Sequence, residues 1–181
     1  NANFIGMNCI EQNALKPSFF YKFSEFKSSG NYFQKNQVLY GRMRPYLNKV
    51  YKAEDEGACS GEFIVLECEK DFNPDLLKYI LHGREFVTFA NHKTTGDRPR
   101  ISFEQIAEYP IAKPPFKEQK KIIQQIESRL SVCNKMEETI KAALQQAEAL
   151  RLSILKKAFE GKLVEQNPDD EPAAKLLERI R

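Results

Sequence analysis

Between Pro115 and Gly161 the chain contains neither proline nor glycine, so nothing along that stretch breaks a helix. Apolar residues recur there at alternating steps of three and four: Ile123, Ile126, Leu130, Cys133, Ile140, Leu144, Ala147, Ile154 and Ala158. Two slots interrupt the series, Glu137 and Arg151, and each has an apolar neighbour beside it, Met136 and Leu150. This is the seam of a coiled coil held over about five heptads. Pro115 suits a first helical position, Glu118 and Gln119 fall in the positive first turn, and Lys156 and Lys157 fall in the negative last turn. Gly161 is the residue expected just past the end. At ~1.5 Å per residue the rod is roughly 65 Å long, more surface than a domain of this size can cover, so its stripe needs a partner.

The remainder of the 181 residues leaves room for one globular domain. Hydrophobic content of 41% and charged content of 29% are ordinary for a soluble chain, and no apolar run approaches the ~20 residues of a membrane span. The chain opens N-A-N-F-I-G with no initiator Met and reads as a fragment. Four cysteines, Cys9, Cys59, Cys68 and Cys133, have no C-x-x-C spacing, and only His82 and His92 could join them. Reduced cytoplasmic thiols are expected, and no metal site.

The net charge of +3 says little, because residues 1–112 balance 14 basic side chains against 14 acidic ones. Their distribution is more informative. Phe26 to Ala53 holds six basic residues (Lys27, Lys35, Arg42, Arg44, Lys49, Lys52) and no acidic one, with Tyr32, Phe33, Tyr40, Tyr46 and Tyr51 interleaved. Cations and aromatics on extended chain suit phosphate contact and base stacking; the alternative is a solvated sheet face whose aromatics are core. Glu54 to Asp75 reverses the sign, with eight acidic residues against Lys70. A second candidate is the loop N-H-K-T-T-G-D-R-P-R, Asn91–Arg100, whose Gly96 turn projects polar and cationic side chains of the kind that contact base edges and phosphates. The expected DNA contacts are Arg42, Arg44, Lys49, Lys93, Thr94, Thr95, Arg98 and Arg100. For Arg98 and Arg100 the alternative is that one or both pin the loop through carboxylates such as Asp97 or Glu104.

Locally, residues 2–7 suggest a strand, and the stretch to Asn36 is turn-rich, with Pro17, Ser28, Ser29, Gly30 and Asn31 as breakers. Q-V-L-Y-G-R-M-R-P-Y-L-N-K-V-Y predicts two strands around a bend at Pro45, and E-F-I-V-L-E a buried strand. Asn73-Pro74 starts a helix expected to run to Phe89, and Ser102 with Gln105 forms a capping box for a short helix to Glu108. After Gly161 a polar linker leads to a short amphipathic helix capped near Asp170 or Glu171. The architecture expected is therefore α+β: a mixed recognition domain over 1–112, a long helix over 113–161 and a linker with a short helix over 162–181.

Catalytic motifs are sparse. Lys113-Pro114-Pro115-Phe116 differs by one residue from the (Asn/Asp)-Pro-Pro-(Tyr/Phe) motif of amino methyltransferases, but lysine has only donors and cannot hold an amino group by accepting from it. No G-x-G, Walker loop or G-x-S-x-G elbow occurs, so no cofactor is expected and the chain reads as an organiser or reader, not an enzyme.

Several segments together resemble the specificity subunit of type I restriction–modification systems: F-I-G-M-N-C-I-E, V-L-Y-G-R-M-R-P-Y-L-N-K-V, G-D-R-P-R-I-S, Y-P-I-A-K-P-P-F-K-E-Q-K-K-I, and S-I-L-K-K-A-F-E-G-K-L-V with N-P-D-D-E-P-A-A-K-L-L-E-R-I. The resemblance implies a domain that reads half of a bipartite site on double-stranded DNA. It also implies a spacer helix that pairs antiparallel with a second one, and modification (methyltransferase) and restriction subunits as partners. A full subunit has two domains and two helices; this chain has one of each, as half a subunit would. In isolation the seam of Ile123, Ile126, Leu130, Ile140, Leu144 and Ile154 is then expected to form a homodimer, with Glu137 near the centre and the register open. Such a dimer would read two inverted half-sites about one or two helical turns apart. The rival reading is a coiled-coil adaptor with an incidental head and no DNA function.

Overall fold

The computed structural model describes residues 3–22, 30–165, 167, 169 and 171–180. Seven strands and five α-helices follow in the order β1 (Asn3–Ile5), β2 (Tyr21–Lys22), β3 (Gly30–Phe33), β4 (Val38–Gly41), β5 (Val50–Lys52), β6 (Gly57–Ser60), β7 (Phe63–Leu66), α1 (Pro74–His82), α2 (Arg84–His92), α3 (Phe103–Ala107), α4 (Phe116–Phe159) and α5 (Ala173–Ile180). One sheet has the order β2-β1-β6-β3, with β1 and β6 parallel; the other is antiparallel in the order β5-β4-β7. The fold is α+β, as expected.

The V-L-Y-G of β4 is buried at every position, and its period of two explains why. Val38 and Tyr40 face one core with Val50 and Leu66, closed by Leu77 and Leu81 of α1, Phe86 and Ala90 of α2, and Ile101 and Ile106. Leu39 faces the other core, with Ile5, Cys9, Ile10, Phe33, Tyr51, Cys59 and Phe63. Phe86 sits edge-on to Tyr40, ring centres 5.3 Å apart, and to Tyr109 at 5.0 Å.

Two local expectations are corrected. Gly30 and Asn31, read as breakers, open β3: Gly30 pairs with Ser60 and Phe33 with Gly57, so a partner 24 or more residues away overrides the turn propensity. The helix from Pro74 does not continue to Phe89. It stops at His82, because Gly83 turns to an extended ψ of 146° and donates its N–H to the Ile80 carbonyl, and α2 restarts behind it. A Cβ at Gly83 would lie 3.1 Å from that carbonyl oxygen, which favours glycine at the break. The Asn73 cap and the Ser102–Gln105 capping box are present as read.

The chain divides into two compact units, Asn1–Ile126 and Glu127–Arg181. The first turns of α4 belong to the first unit, anchored there by Gln119, which is fully buried. Its side-chain oxygen accepts the Asn73 N–H at 2.8 Å, while its amide nitrogen donates to the carbonyls of Asp71 at 3.0 Å and Pro114 at 2.9 Å. Pro115 lies just before the helix and its carbonyl accepts from Glu118 and Gln119. Ile123, placed by the sequence on the candidate seam, is only 7% exposed and thus covered within the chain. At the far end Gly161 takes a left-handed φ of 67°, and the Lys162 N–H returns to the Lys157 carbonyl, an αL stop of the predicted kind. The second unit comprises the helix from Glu127 to Phe159 and α5; of the two expected caps of α5, Asp170 lies outside the described residues.

Candidate nucleic-acid interface

Beyond Gly41 the β4–β7 pairing extends by one step: the Arg42 N–H donates to the Glu62 carbonyl at 2.9 Å. On its other side this segment meets the end of the 91–100 loop. The Ile101 N–H donates to the Arg42 carbonyl at 3.0 Å, the Arg44 N–H donates to the Pro99 carbonyl at 2.7 Å, and Met43 bridges to Arg100. The two stretches singled out in the sequence are therefore one ledge, with Arg42, Arg44 and Arg100 at its turns and bridge, and the rest of the loop leading into it.

The arginines of this ledge differ in how they are held. Arg100 grips Glu62 with both ends of its fork, Nε to Oε2 at 3.0 Å and Nη2 to Oε1 at 2.9 Å. That guanidinium, with help from the charge of Arg42, holds the Glu62 carboxyl below its ordinary range. Arg100 thus takes the pinning role foreseen as its alternative, but through Glu62, not Asp97 or Glu104. Arg42 and Arg44 are half-buried, make no ion pair among the described residues, and each keeps a buried Nε with no hydrogen bond. Arg44 also has a left-handed backbone, φ 52° and ψ 70°, unusual for a residue before proline. Its amide bond to Pro99 and its carbonyl, which accepts from Leu47 at 2.8 Å, hold it there.

The other candidates fall into two groups. Lys93 pairs with Glu108 and its carbonyl accepts from Gln105, so it ties the loop to α3. Thr94 caps α2 by donating its hydroxyl to the Ala90 carbonyl at 3.1 Å. Lys49 donates to the Met7 carbonyl at 2.7 Å, and burial pushes its amine below the usual lysine range. Thr95 and Arg98 stand exposed at the loop tip around Gly96, whose φ is 91°. Of the interleaved aromatics, Phe33, Tyr40 and Tyr51 are core, whereas Tyr32 and Tyr46 are 60% and 46% exposed. Phe26 and Lys27 lie outside the described residues. Lys113 of the K-P-P-F run bonds Glu69 at 2.6 Å and Asp71 at 2.8 Å, holding the Asp71 carboxyl low; it serves as a clasp beside the start of α4.

Sequence reasoning missed Glu62, which it left in the acidic segment. The signal was present in the hairpin register: with Gly41 opposite Phe63, the next pair is Arg42 and Glu62.

An α+β head joined to a long helix matches the fold of solved structures. A chain from a structure of the type I R-M system, concerned with its complex assembly and conformational transition, matches with a TM-score of 0.71 at 16% identity, covering 94% of this chain and 45% of that one. The crystal structure of the HsdS subunit from Thermoanaerobacter tengcongensis matches with a TM-score of 0.68 at 18% identity and the same coverage. The chain belongs to the type I restriction modification DNA specificity domain family, whose model matches residues 1–146. It is 31% identical over 162 residues to the type I restriction enzyme EcoDI specificity subunit of Escherichia coli, covering 85% of this chain and 36% of that subunit. It is 36% identical over 97 residues to the EcoKI specificity subunit of Escherichia coli strain K12, covering 49% of this chain and 21% of that one. The chain therefore spans about a third or less of the length of these relatives. None of these matches supports the adaptor reading.

Proposed function

We propose that this chain is a non-catalytic DNA sequence-specificity module of a type I restriction–modification system. Its first 112 residues read one half of a bipartite site on double-stranded DNA, working in the cytoplasm beside modification and restriction subunits. Family membership supports the class, and one observation carries the site: Arg42 and Arg44 stand on the ledge formed with the 91–100 loop, each with a buried Nε that has no hydrogen-bond partner among the described residues, even though Arg42 lies close enough to Glu62 and Glu104 to bias their charge state. Half-buried arginines with unused donors suit phosphate or guanine edges, which present paired acceptors. Thr95 and Arg98 at the loop tip are the adjoining contacts, and exposed Tyr46 offers a stacking face beside Arg44. Lys49, Lys93, Thr94 and Arg100 act by holding the ledge in shape. The exposed seam of α4, from Leu130 to Ile154, pairs with a second copy when the chain is alone.

The test is a salt titration of duplex binding by the intact chain. Arg44→Ala and Arg42→Ala should each weaken binding by roughly tenfold or more, and a lost phosphate contact should lower the salt slope by about one. Unchanged affinity and slope in both variants would remove the ledge as the interface.

A further inference from the structure

The stretch of α4 beyond Ile126 exposes Leu130 at 39%, Met136 at 59%, Ile140 at 56%, Leu144 at 65%, Leu150 at 62% and Ile154 at 45%. A shallow groove of about 320 Å³ lies on it between Val132, Met136, Thr139 and Ile140. We propose that this face docks a second copy of the chain in one antiparallel register, with the two-fold axis beside Ala142, and that Glu137 and Arg151 select that register. The proposal rests on the pairing reading above and adds which residues meet.

Three antiparallel registers, a heptad apart, put seam against seam. With the axis beside Ala142, Leu130 of one copy shares a layer with Ile154 of the other, Ile140 with Leu144, and Ile126 with Ala158. Every large apolar seam residue beyond Ile123 then meets an apolar one. The two charged slots fall opposite small side chains, Glu137 opposite Ala147 and Arg151 opposite Cys133. Those layers are neighbours, so Glu137 and Arg151 of opposite copies lie about 6 Å apart along the axis, within reach of each other. Among the described residues, Arg151 contacts Glu148 alone, a turn away at 3.3 Å and exposed. The flank adds a further match, because Leu150 of the second copy falls on the groove beside Met136.

The neighbouring registers lose these matches. One heptad towards the C-terminus sets Glu137 against Ile154 and Arg151 against Ile140, and leaves Leu130 facing Gly161. One heptad the other way places both copies of Glu137 beside the two-fold axis and needs Ile123 to cover Ile154. Ile123 is 7% exposed and already covered within its own chain. The register beside Ala142 spans Ile126 to Ala158, which is the helix from the edge of the first unit to its last turn.

Oxidative cross-linking of the full chain tests the register, in a Cys133→Ser background, since Cys133 is exposed and Cys9 and Cys59 are buried. Leu130→Cys with Ile154→Cys should give a covalent dimer; within one helix these positions are about 36 Å apart and cannot meet. Glu137→Cys with Ile154→Cys, and Leu130→Cys with Ala147→Cys, report the two shifted registers and should give none. Dimers linked through either control pair, or a chain that sediments as a dimer yet fails to link through 130 and 154, overturn the register and leave self-association standing. A monomer at tens of micromolar overturns both. Independently, Glu137→Arg should weaken the dimer roughly tenfold and adding Arg151→Glu should restore it. A double variant as weak as the single one overturns the pairing of these two charges.

Discussion

The Gln119 carboxamide satisfies three backbone groups from two segments, the Asn73 N–H before α1 and the Asp71 and Pro114 carbonyls, in a site with no solvent access. A neutral amide is suited to this because it both accepts and donates, which neither glutamate nor lysine does. Gln119→Leu would leave those groups buried and unpaired, at a cost of about 2 kcal/mol or more. The expected outcome is a lower denaturation midpoint for the first unit, read by chemical unfolding, while the helical signal of the second unit is retained. An unchanged midpoint would mean that water replaces the amide. The sequence marked this residue only as one in a favourable first turn, because hydrogen-bonding partners 46 and 48 positions away leave no local signal. Arg100 and Glu62, 38 positions apart, are a second case of the same kind.

At the scale of elements, legibility follows the range of the interactions that build each one. The Asn73 cap spans two residues and the Ser102–Gln105 box three, and both could be read from the sequence. The strand β3 was not, because Gly30 and Asn31 become strand only through β6. The break at Gly83 sits between two helical patterns and was hidden by their continuity. For the site, the chemistry of the two cationic stretches was legible, but their meeting across Met43 and Arg100 was not, since a bridge between distant loops has no periodicity. At its start the pattern departs from a pure seam, since Ile123 and Gln119 instead serve the first unit. This limits a disruption experiment to the remainder of the seam. Leu144→Asp would bury an unpaired charge on pairing, costing about 3–5 kcal/mol, and should convert the dimer to monomer in sedimentation. The same substitution at an exposed polar site such as Gln145 should leave the dimer intact.

The molecule as a whole divides its stability between two sources. The first unit has two hydrophobic cores of its own, whereas among the described residues the second unit's helix presents an apolar face with no partner covering it. The two cores are not independent, because β4 turns Val38 and Tyr40 to one and Leu39 to the other. Melting either would strip one face of a strand that the other needs. The head should accordingly lose both cores in a single step, without a half-melted intermediate. Scanning calorimetry should show one head transition whose calorimetric and van't Hoff enthalpies agree and whose midpoint ignores protein concentration. A second transition, from the paired helices, should move to higher temperature as concentration rises. A head transition that splits in two would mean the cores are separable after all. A strand shared in this way makes the first unit an all-or-none object: damage to the core under the helices is felt at once on the opposite sheet, and a partly folded form of this unit has no route to persist.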